Sequence, residues 1–244
     1  MPEGPSIVIL KELANPFTGK EVVAVSGNSK TPFEKVAGKA VIAFRSWGKH
    51  FLICFDDFSI RIHFLLFGSY RINEEKGTPP RLSLKFKDGV LNFYSCSVKF
   101  IEGPLDKIYD WSTDIMSDKW DPKAARKKLK AAPAMFVCDA LLDQNIFSGS
   151  GNIIKNEVLY RISIHPLTEV GALPSKKLTQ LINEVRNYSF DFLVWKKAHV
   201  LKKHWLAHTK KICIRCKGPI LKEYTGLTNR RTFFCPVCQK RYGV

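Results

Sequence analysis

Several features that are common in other protein classes are missing from this sequence of 244 residues. No apolar run reaches the roughly 20 residues that a membrane-spanning helix needs. Near the start, SIVIL is too short for the apolar centre of a secretory signal. Internal repeats and low-complexity tracts are absent as well. We therefore expect no membrane association and a cytosolic protein, or a nuclear one in a eukaryote.

Acidic residues are scarce relative to basic ones. Lys and Arg number 39 against 22 Asp and Glu, which gives a net charge of +17. A surplus of this size predicts a polyanionic partner, and nucleic acid is the commonest one. A merely basic protein without such a partner is the alternative. With 45% hydrophobic residues, the chain can build one large core or two modest ones.

The seven cysteines cannot all be paired in disulfides within the chain. Three are isolated in the sequence and are expected to be buried thiols: Cys54, Cys96 and Cys138. The others form two CxxC pairs with 18 residues between them, Cys213 with Cys216 and Cys235 with Cys238. This spacing predicts one structural Zn²⁺ held by four thiolates, with no position open for catalysis. Two redox dithiols are the alternative.

The hydrophobic pattern changes along the chain. Residues 5–14 read as a short helix, and residues 18–105 as antiparallel strands rich in Val, Ile, Phe and Tyr, separated by turn residues. WDPKAARKKLKA predicts a helix capped by Asp121, and AMFVCDALLDQ, NIIKNEVLYRISI and SKKLTQLINEVRNY predict further helices. The predicted class is α+β, and its divisions are an N-terminal antiparallel β-sandwich domain flanked by helices (1–118), a linker with the start of the helical region (119–132), a helical domain (133–208) and a zinc unit (209–244).

Two segments of the second half suit an anionic ligand. Gly149-Ser150-Gly151-Asn152 precedes an amphipathic helix, whose exposed first amides favour an anion; a plain connection between helices would look similar. Between the CxxC pairs, ILKEY and RTFF predict a hairpin with its turn at 226–229. Arg230 and Arg231 then lie at its tip, where they could grip phosphates or form a solvated basic turn.

Four separated motifs, taken in order, resemble the formamidopyrimidine-DNA glycosylase / endonuclease VIII family of base-excision repair enzymes. They are MPEGP at the start, Lys49 in SWGKHFLI, LLDQNIFSGSGNIIKNEVLYRISIHP, and NRRTFFCPVCQ. The third is similar to the family's helix–two-turn–helix element, and the fourth to the end of its zinc finger. The resemblance implies a two-domain clamp around damaged double-stranded DNA, and in a bacterium a cytoplasmic, nucleoid-associated protein, most simply a monomer.

The resemblance also implies roles for individual residues. Pro2, freed by removal of Met1, would be the nucleophile of a bifunctional glycosylase and AP lyase that cleaves the strand by β,δ-elimination. Glu3 would be the acid/base. Three residues would contact DNA phosphates or backbone: Lys49, Asn152 and Arg230. Three others would fill the gap left by the extruded nucleotide: Leu65, Leu66 and Phe67. Glu157 is expected to be a buried structural partner.

Two sequence features bear on the substrate. FLLFG after His63 is more similar to the endonuclease VIII branch, and FYSCSVKF lacks the arginine of the purine-repair branch. Oxidised pyrimidines are therefore the expected lesions; 8-oxoguanine and ring-opened purines are the alternative. A non-catalytic DNA-binding protein on the same scaffold is a further alternative. Ser6, where the family commonly has glutamate, favours it slightly, whereas the presence of Pro2 and Glu3 argues against it. A zinc-ribbon RNA- or ribosome-associated protein would leave the β-rich half without a role.

Overall fold

A computed structural model describes residues 2–30 and 32–243, and the chain divides into two units, residues 1–109 and 110–244. Residues 110–118, which the sequence pattern assigned to the β-sandwich domain, group with the second unit. Ile115 is buried in the core of that unit, and the Lys128 ammonium lies 2.9 Å from the Asp110 carboxylate. These contacts tie the segment to the helices that follow it, so the boundary falls at Tyr109.

The described part of unit 1 contains two antiparallel four-stranded sheets with strand orders β1-β6-β7-β5 and β2-β3-β4-β8. A helix, α1, precedes the strands, and a short helix, α2, follows them. Their bounds are α1 Gly4–Ala14, β1 Ala24–Ser26, β2 Ala43–Trp47, β3 His50–Cys54, β4 Phe58–His63, β5 Ser69–Ile72, β6 Leu82–Phe86, β7 Gly89–Tyr94, β8 Ser97–Glu102 and α2 Leu105–Ile108. The predicted antiparallel sandwich is confirmed.

Alternation along the strands builds one core in unit 1. Inward-facing aromatic and branched side chains of both sheets pack together, and the Phe51 and Phe93 ring centroids lie 5.9 Å apart. Helix α1 contributes Ile7, Leu10 and Ala14 to this core, and it contacts β2 and β3. Proline in the first turn suits the start of that helix. Helix α1 is thereby packed on the sheet that includes β2 and β3.

Unit 2 is helical and ends in a hairpin. Its elements are α3 Pro122–Lys130, α4 Val137–Ala140, α5 Asn152–Arg161, α6 Ser175–Lys197, β9 Leu221–Thr225 and β10 Arg230–Phe234. The Asp121 carboxylate accepts a hydrogen bond from the Lys123 N–H (2.8 Å), as its predicted capping role requires. Of the helices in the described residues, none combines the length and apolarity of a membrane span.

One predicted helix of unit 2 is much shorter than its apolar pattern suggests. AMFVCDALLDQ forms a helix only over α4. The Asp143 side chain accepts a hydrogen bond from the Asn145 N–H (2.8 Å), and this local turn competes with continuation of the helix. The chain instead winds through irregular turns to Gly151 and then enters α5. These turns are the link between α4 and the N-terminus of α5.

Candidate functional site

The N-terminal motif places an acid in the protein interior. Glu3 is fully buried, and Pro2 immediately before it is half-buried. The Glu3 carbonyl accepts hydrogen bonds from the N–H groups of Ser6 (2.8 Å) and Ile7 (3.4 Å), which starts α1. Ser6, at the position where the family commonly has glutamate, is half-buried in the first turn of that helix. Glu3 is therefore held at the N-terminus of α1.

Lys49 lies in the tight turn between β2 and β3 and is half-buried. Trp47 pairs with His50 across this turn, and His50 pairs with His63 at the end of β4. The turn that contains Lys49 and the segment that follows His63 therefore lie at the same end of the sheet, where β2 ends, β3 begins and β4 ends. Two of the motifs predicted to contact DNA meet at this end of the sheet.

Leu65, Leu66 and Phe67 form the exposed tip of the segment after His63, with 52, 46 and 88% of their surfaces exposed. Phe64 before them is buried. Gly68 after them closes the turn by donating from its N–H to the Phe64 carbonyl (2.8 Å). A side chain at Gly68 would lie 2.2 Å from that carbonyl oxygen, so the turn requires glycine. The three apolar side chains are not core residues, which leaves them available as a wedge.

An open concavity of about 580 Å³ adjoins this apolar tip. Arg81, Ser95 and Cys96 complete its lining. Arg81 is fixed there because its guanidinium donates to the Asn28 carbonyl (2.7 Å) and side chain (3.0 Å) and to the Cys96 carbonyl (3.4 Å). Sequence reasoning missed Arg81, since no motif surrounds it. Ser95 and Cys96 are the whole connection between β7 and β8, so that connection contributes no arginine of its own.

Two histidines lie at the same end of the sheet as Lys49. The His50 and His63 rings are edge-on with centroids 5.4 Å apart. Burial, together with the nearby positive charges of Arg61, His63 and Lys49, lowers the pKa of His50 to about 3. Burial also lowers the pKa of His63, again helped by Lys49 and Arg61. Both rings are therefore neutral near pH 7. The positive charge at this end of the sheet belongs to Lys49 and Arg61.

The two CxxC pairs of unit 2 form a compact cluster. The four sulfur atoms all lie within 4.8 Å of one another, with 3.8 Å between Cys213 and Cys238 and 3.5 Å between Cys216 and Cys235. Four thiolates around a tetrahedral Zn²⁺, with Zn–S bonds of about 2.3 Å, would have sulfurs about 3.8 Å apart. The donor set and the spacing therefore fit a zinc ion.

A tyrosine of α5 reaches this cluster. The Tyr160 hydroxyl lies 3.0 Å from the Cys213 sulfur. Burial raises the pKa of the Cys213 thiol, but hydrogen bonds from Tyr160 and from the Cys216 and Arg215 amides outweigh it and lower that pKa to about 6. Burial and the contact with Cys213 raise the pKa of Tyr160, so the phenol keeps its proton and donates it. This donor suits a metal-bound thiolate.

The arginines of the hairpin begin β10 directly after the turn, and both are exposed. Asn152, at the start of α5, donates from its side-chain amide to the Arg231 carbonyl (2.8 Å). The fully buried Lys155 donates to the same carbonyl (3.3 Å) and to the Thr232 hydroxyl (2.7 Å). The predicted Asn152 and arginine positions are thus joined in one network, in which Lys155 was not foreseen.

Glu157 is fully buried, as the sequence predicted. Its carboxylate accepts hydrogen bonds from the N–H groups of Leu206 (2.8 Å), Ala207 (2.9 Å) and His208 (2.7 Å). Burial raises its pKa while these three bonds lower it. Glu157 therefore fastens α5 to the segment that leads into the cysteine hairpin.

Comparison with known proteins accounts for both units. The model of the formamidopyrimidine-DNA glycosylase N-terminal domain matches residues 1–100, and that of the formamidopyrimidine-DNA glycosylase H2TH domain matches residues 112–188. The chain belongs to the formamidopyrimidine-DNA glycosylase / endonuclease VIII family. Within this family, the helix–two-turn–helix element corresponds to the segment that carries Asn152 and Glu157.

Several members of the family are similar along most of this chain. Endonuclease 8-like 3 of Xenopus laevis is 29% identical over 90% of the chain and 38% of its own length. The Mus musculus Endonuclease 8-like 3 is 32% identical over 79% of the chain and 33% of its own length, and Endonuclease 8-like 2 of Mus musculus is 35% identical over 74% and 57%. The chain thus spans one third to three fifths of these relatives' lengths.

Solved structures of the family share the fold. Formamidopyrimidine DNA glycosylase from Lactococcus lactis, in complex with DNA containing an oxidised pyrimidine, superposes with a TM-score of 0.87 at 23% identity. The comparison covers 98% of this chain and 100% of that one. The same enzyme bound to DNA with an AP site gives a TM-score of 0.86 at 23% identity, with the same coverage.

Proposed function

We propose that this chain is a bifunctional DNA glycosylase and AP lyase that removes oxidised pyrimidines from double-stranded DNA. The observation that carries the proposal is the fully buried Glu3 directly after Pro2, at the start of the N-terminal domain of this family. Two further points support the substrate: the relatives' printed name, Endonuclease 8-like, and the oxidised pyrimidine in the DNA of a structural neighbour.

The proposed nucleophile is the secondary amine of Pro2, which requires that Met1 is removed. An α-amino group has a pKa near 8, so a useful neutral fraction exists near pH 7. Its lone pair attacks C1′ of the damaged nucleotide, the base leaves with the bond electrons and a proton, and the sugar ring opens. The product is an iminium between Pro2 and the sugar, a permanent cation that serves as an electron sink.

Strand cleavage follows from that iminium. Loss of a C2′ proton expels the 3′ phosphate by β-elimination, and a second proton loss expels the 5′ phosphate by δ-elimination. Hydrolysis then frees the amine. Glu3 is the proposed acid/base, which protonates the sugar ring oxygen as the ring opens and moves protons afterwards. Its burial and its place next to Pro2 suit this role, because a carboxyl group beside the nucleophile lies close to the sugar atoms that gain and lose protons.

The remaining residues of unit 1 are proposed to hold and open the DNA. Lys49 would bind a phosphate beside the lesion, since it carries the positive charge next to two neutral histidines. Leu65, Leu66 and Phe67 would fill the gap left by the extruded nucleotide, because apolar wedges replace lost base stacking. Their exposure on a turn fixed by Gly68 supports this assignment.

In unit 2 we propose that Cys213, Cys216, Cys235 and Cys238 hold one structural Zn²⁺. The ion supplies no chemistry of its own in this account, because four thiolates leave no open position. It fixes the hairpin, so that Arg230 and Arg231 are presented to backbone phosphates together with Asn152 at the start of α5. Binding of the ion also supplies folding free energy to a hairpin that would be marginal alone.

Borohydride trapping tests the proposal. Untagged protein is mixed with duplexes containing thymine glycol, dihydrouracil, 8-oxoguanine or an abasic site, and borohydride reduces any iminium to a stable amine. We expect a covalent protein–DNA band, strongest on the pyrimidine lesions, that disappears in Pro2→Thr and in protein with an uncleaved N-terminal extension. Full trapping by the extended protein would contradict the role of Pro2.

The same assay separates the alternatives. A dominant band on 8-oxoguanine would keep the chemistry and change the lesion class. Duplex binding without a trapped band on any substrate, including the abasic site, would indicate a non-catalytic DNA-binding protein. Ser6→Glu, which restores the residue common in the family, shows whether this position limits the rate.

A further inference from the structure

The turn of the arginine hairpin rests on a buried carboxylate of α4. Asp139 is only 6% exposed. One of its oxygens accepts from the Leu227 N–H (2.9 Å), and the other accepts from the N–H (3.1 Å) and the hydroxyl (2.9 Å) of Thr228. Asp139 is 88 residues before Leu227 in the chain, so this contact is a feature of the tertiary structure and no local motif indicates it.

Gly226 shows how closely the turn approaches this carboxylate. Its φ is +72°, and a Cβ placed there would lie 2.4 and 2.5 Å from the two Asp139 oxygens. Every residue other than glycine would therefore meet both a strained backbone and a steric clash. The turn is shaped to receive the Asp139 side chain.

The other side of Arg230 is fixed as well. The Arg231 carbonyl is held by Asn152 and Lys155, and the Phe233 N–H donates to the Asn156 side chain (3.2 Å). Arg230 thus lies between Thr228, which is bound by Asp139, and the Arg231 carbonyl, which is bound by α5. An isolated two-stranded hairpin is marginally stable in water, so these anchors decide where its arginines are presented.

We infer that Asp139 is a positioning residue for phosphate binding by Arg230, an inference that rests on the function proposed above. An acid near a DNA-binding surface repels phosphates unless its charge is engaged. The three hydrogen bonds to Asp139 and its burial engage that charge, and the turn gains a rigid anchor. Asp139 itself does not touch DNA in this account; it acts through Arg230.

The test compares Asp139→Asn with a matched control. Asparagine keeps the size of the side chain but replaces one acceptor oxygen by an amide that cannot accept from the turn. The control is Asp143→Asn, because Asp143 lies in the same segment and its side chain accepts from the nearby Asn145 N–H. Binding of a duplex with a tetrahydrofuran abasic site is measured at several salt concentrations.

Loss of one phosphate contact has a defined signature. We expect Asp139→Asn to raise Kd at least roughly fivefold and to lower the magnitude of the slope of log K against log salt concentration by about one. Arg230→Ala should give the same change in slope. Adding Asp139→Asn to Arg230→Ala should then have little further effect, because the two residues act on one contact. Asp143→Asn should bind like the wild type.

Three results would overturn the inference: wild-type binding by Asp139→Asn, an equal loss of binding by the control, or a full additional loss in the Arg230→Ala background. Zinc content, measured by release to a metallochromic dye, shows whether each variant retains its hairpin. If Asp139→Asn loses zinc, Thr228→Val decides, since it removes only the hydroxyl bond. Its effect on binding must vanish in the Arg230→Ala background, and persistence there would contradict the inference.

Failure of the proposed function is distinguishable from failure of this inference. Wild-type protein that neither traps nor prefers the abasic duplex would remove the proposed function. Wild-type protein that does both, together with an Asp139→Asn variant of unchanged salt dependence, would remove the inference alone.

Discussion

At the scale of single residues, His50 makes the free energy of unfolding depend on pH. It is held neutral in the folded protein beside Lys49, Arg61 and His63, and burial lowers its pKa to about 3. In the unfolded chain a histidine has a pKa of about 6.5. Between these two values the unfolded state binds more protons than the folded state. The contribution of neutral His50 to the free energy of unfolding is therefore fully present above pH 6.5, and it is lost as the pH falls towards 3.

We predict that His50→Gln makes the loss of stability between pH 7 and pH 5 shallower than in the wild type, because the proton uptake on unfolding is removed. The free energy of unfolding from urea titrations at both pH values measures this. The exposed His199 provides the control, and His199→Gln should keep the wild-type difference. An unchanged pH dependence in His50→Gln would show that His50 does not carry this linkage.

At the scale of elements, α5 organises unit 2. Its N-terminal residues hold the Arg231 carbonyl, Glu157 in its middle holds residues 206–208, and Tyr160 near its end reaches Cys213. Arg215 closes the arrangement, since its guanidinium donates to the Tyr160 (2.9 Å) and Arg161 (3.0 Å) carbonyls at the end of the helix. One helix thus connects the proposed phosphate-binding groups with the cysteine cluster.

This arrangement makes zinc retention depend on α5. We predict that Tyr160→Phe weakens zinc binding by about tenfold or more, because partners that hydrogen-bond to metal ligands typically contribute this much to affinity. Competition with a chelator of known affinity measures the change. Tyr224→Phe, an exposed tyrosine on β9, is the matched control and should retain zinc like the wild type. Equal zinc affinity in Tyr160→Phe would contradict the proposed hydrogen bond.

Some elements could be predicted from the sequence because their signals are local. Alternating Val, Ile and Phe residues predicted the strands of the sandwich, Asp121 predicted its helix cap, and the CxxC spacing predicted the sulfur cluster. The extent of α4 was predicted wrongly, because a local turn at Asp143 competes with an apolar pattern that suits a longer helix. The roles proposed for Pro2, Lys49 and Arg230 stay predictions.

At the scale of the whole molecule, the remaining features depend on contacts between distant residues. No spacing rule joins Asp139 to Gly226, Lys155 to the Arg231 carbonyl, or His50 to His63. The boundary between the units is of the same kind, since long-range contacts such as the packing of Ile115 and the Asp110–Lys128 pair place residues 110–118 with the helices. The net charge of +17, by contrast, follows from the amino-acid composition alone, and it supports the proposed polyanionic partner.

The proposed chemistry requires that the amine of Pro2 forms the covalent link to DNA. Its most direct test is to digest the borohydride-trapped complex, made with a thymine glycol duplex, and to map the sugar adduct by mass spectrometry. We predict that the peptide PEGPSIVILK lacks Met1 and carries the reduced adduct on the Pro2 nitrogen. An adduct on Lys49 or another lysine, with the Pro2 peptide unmodified, would contradict it.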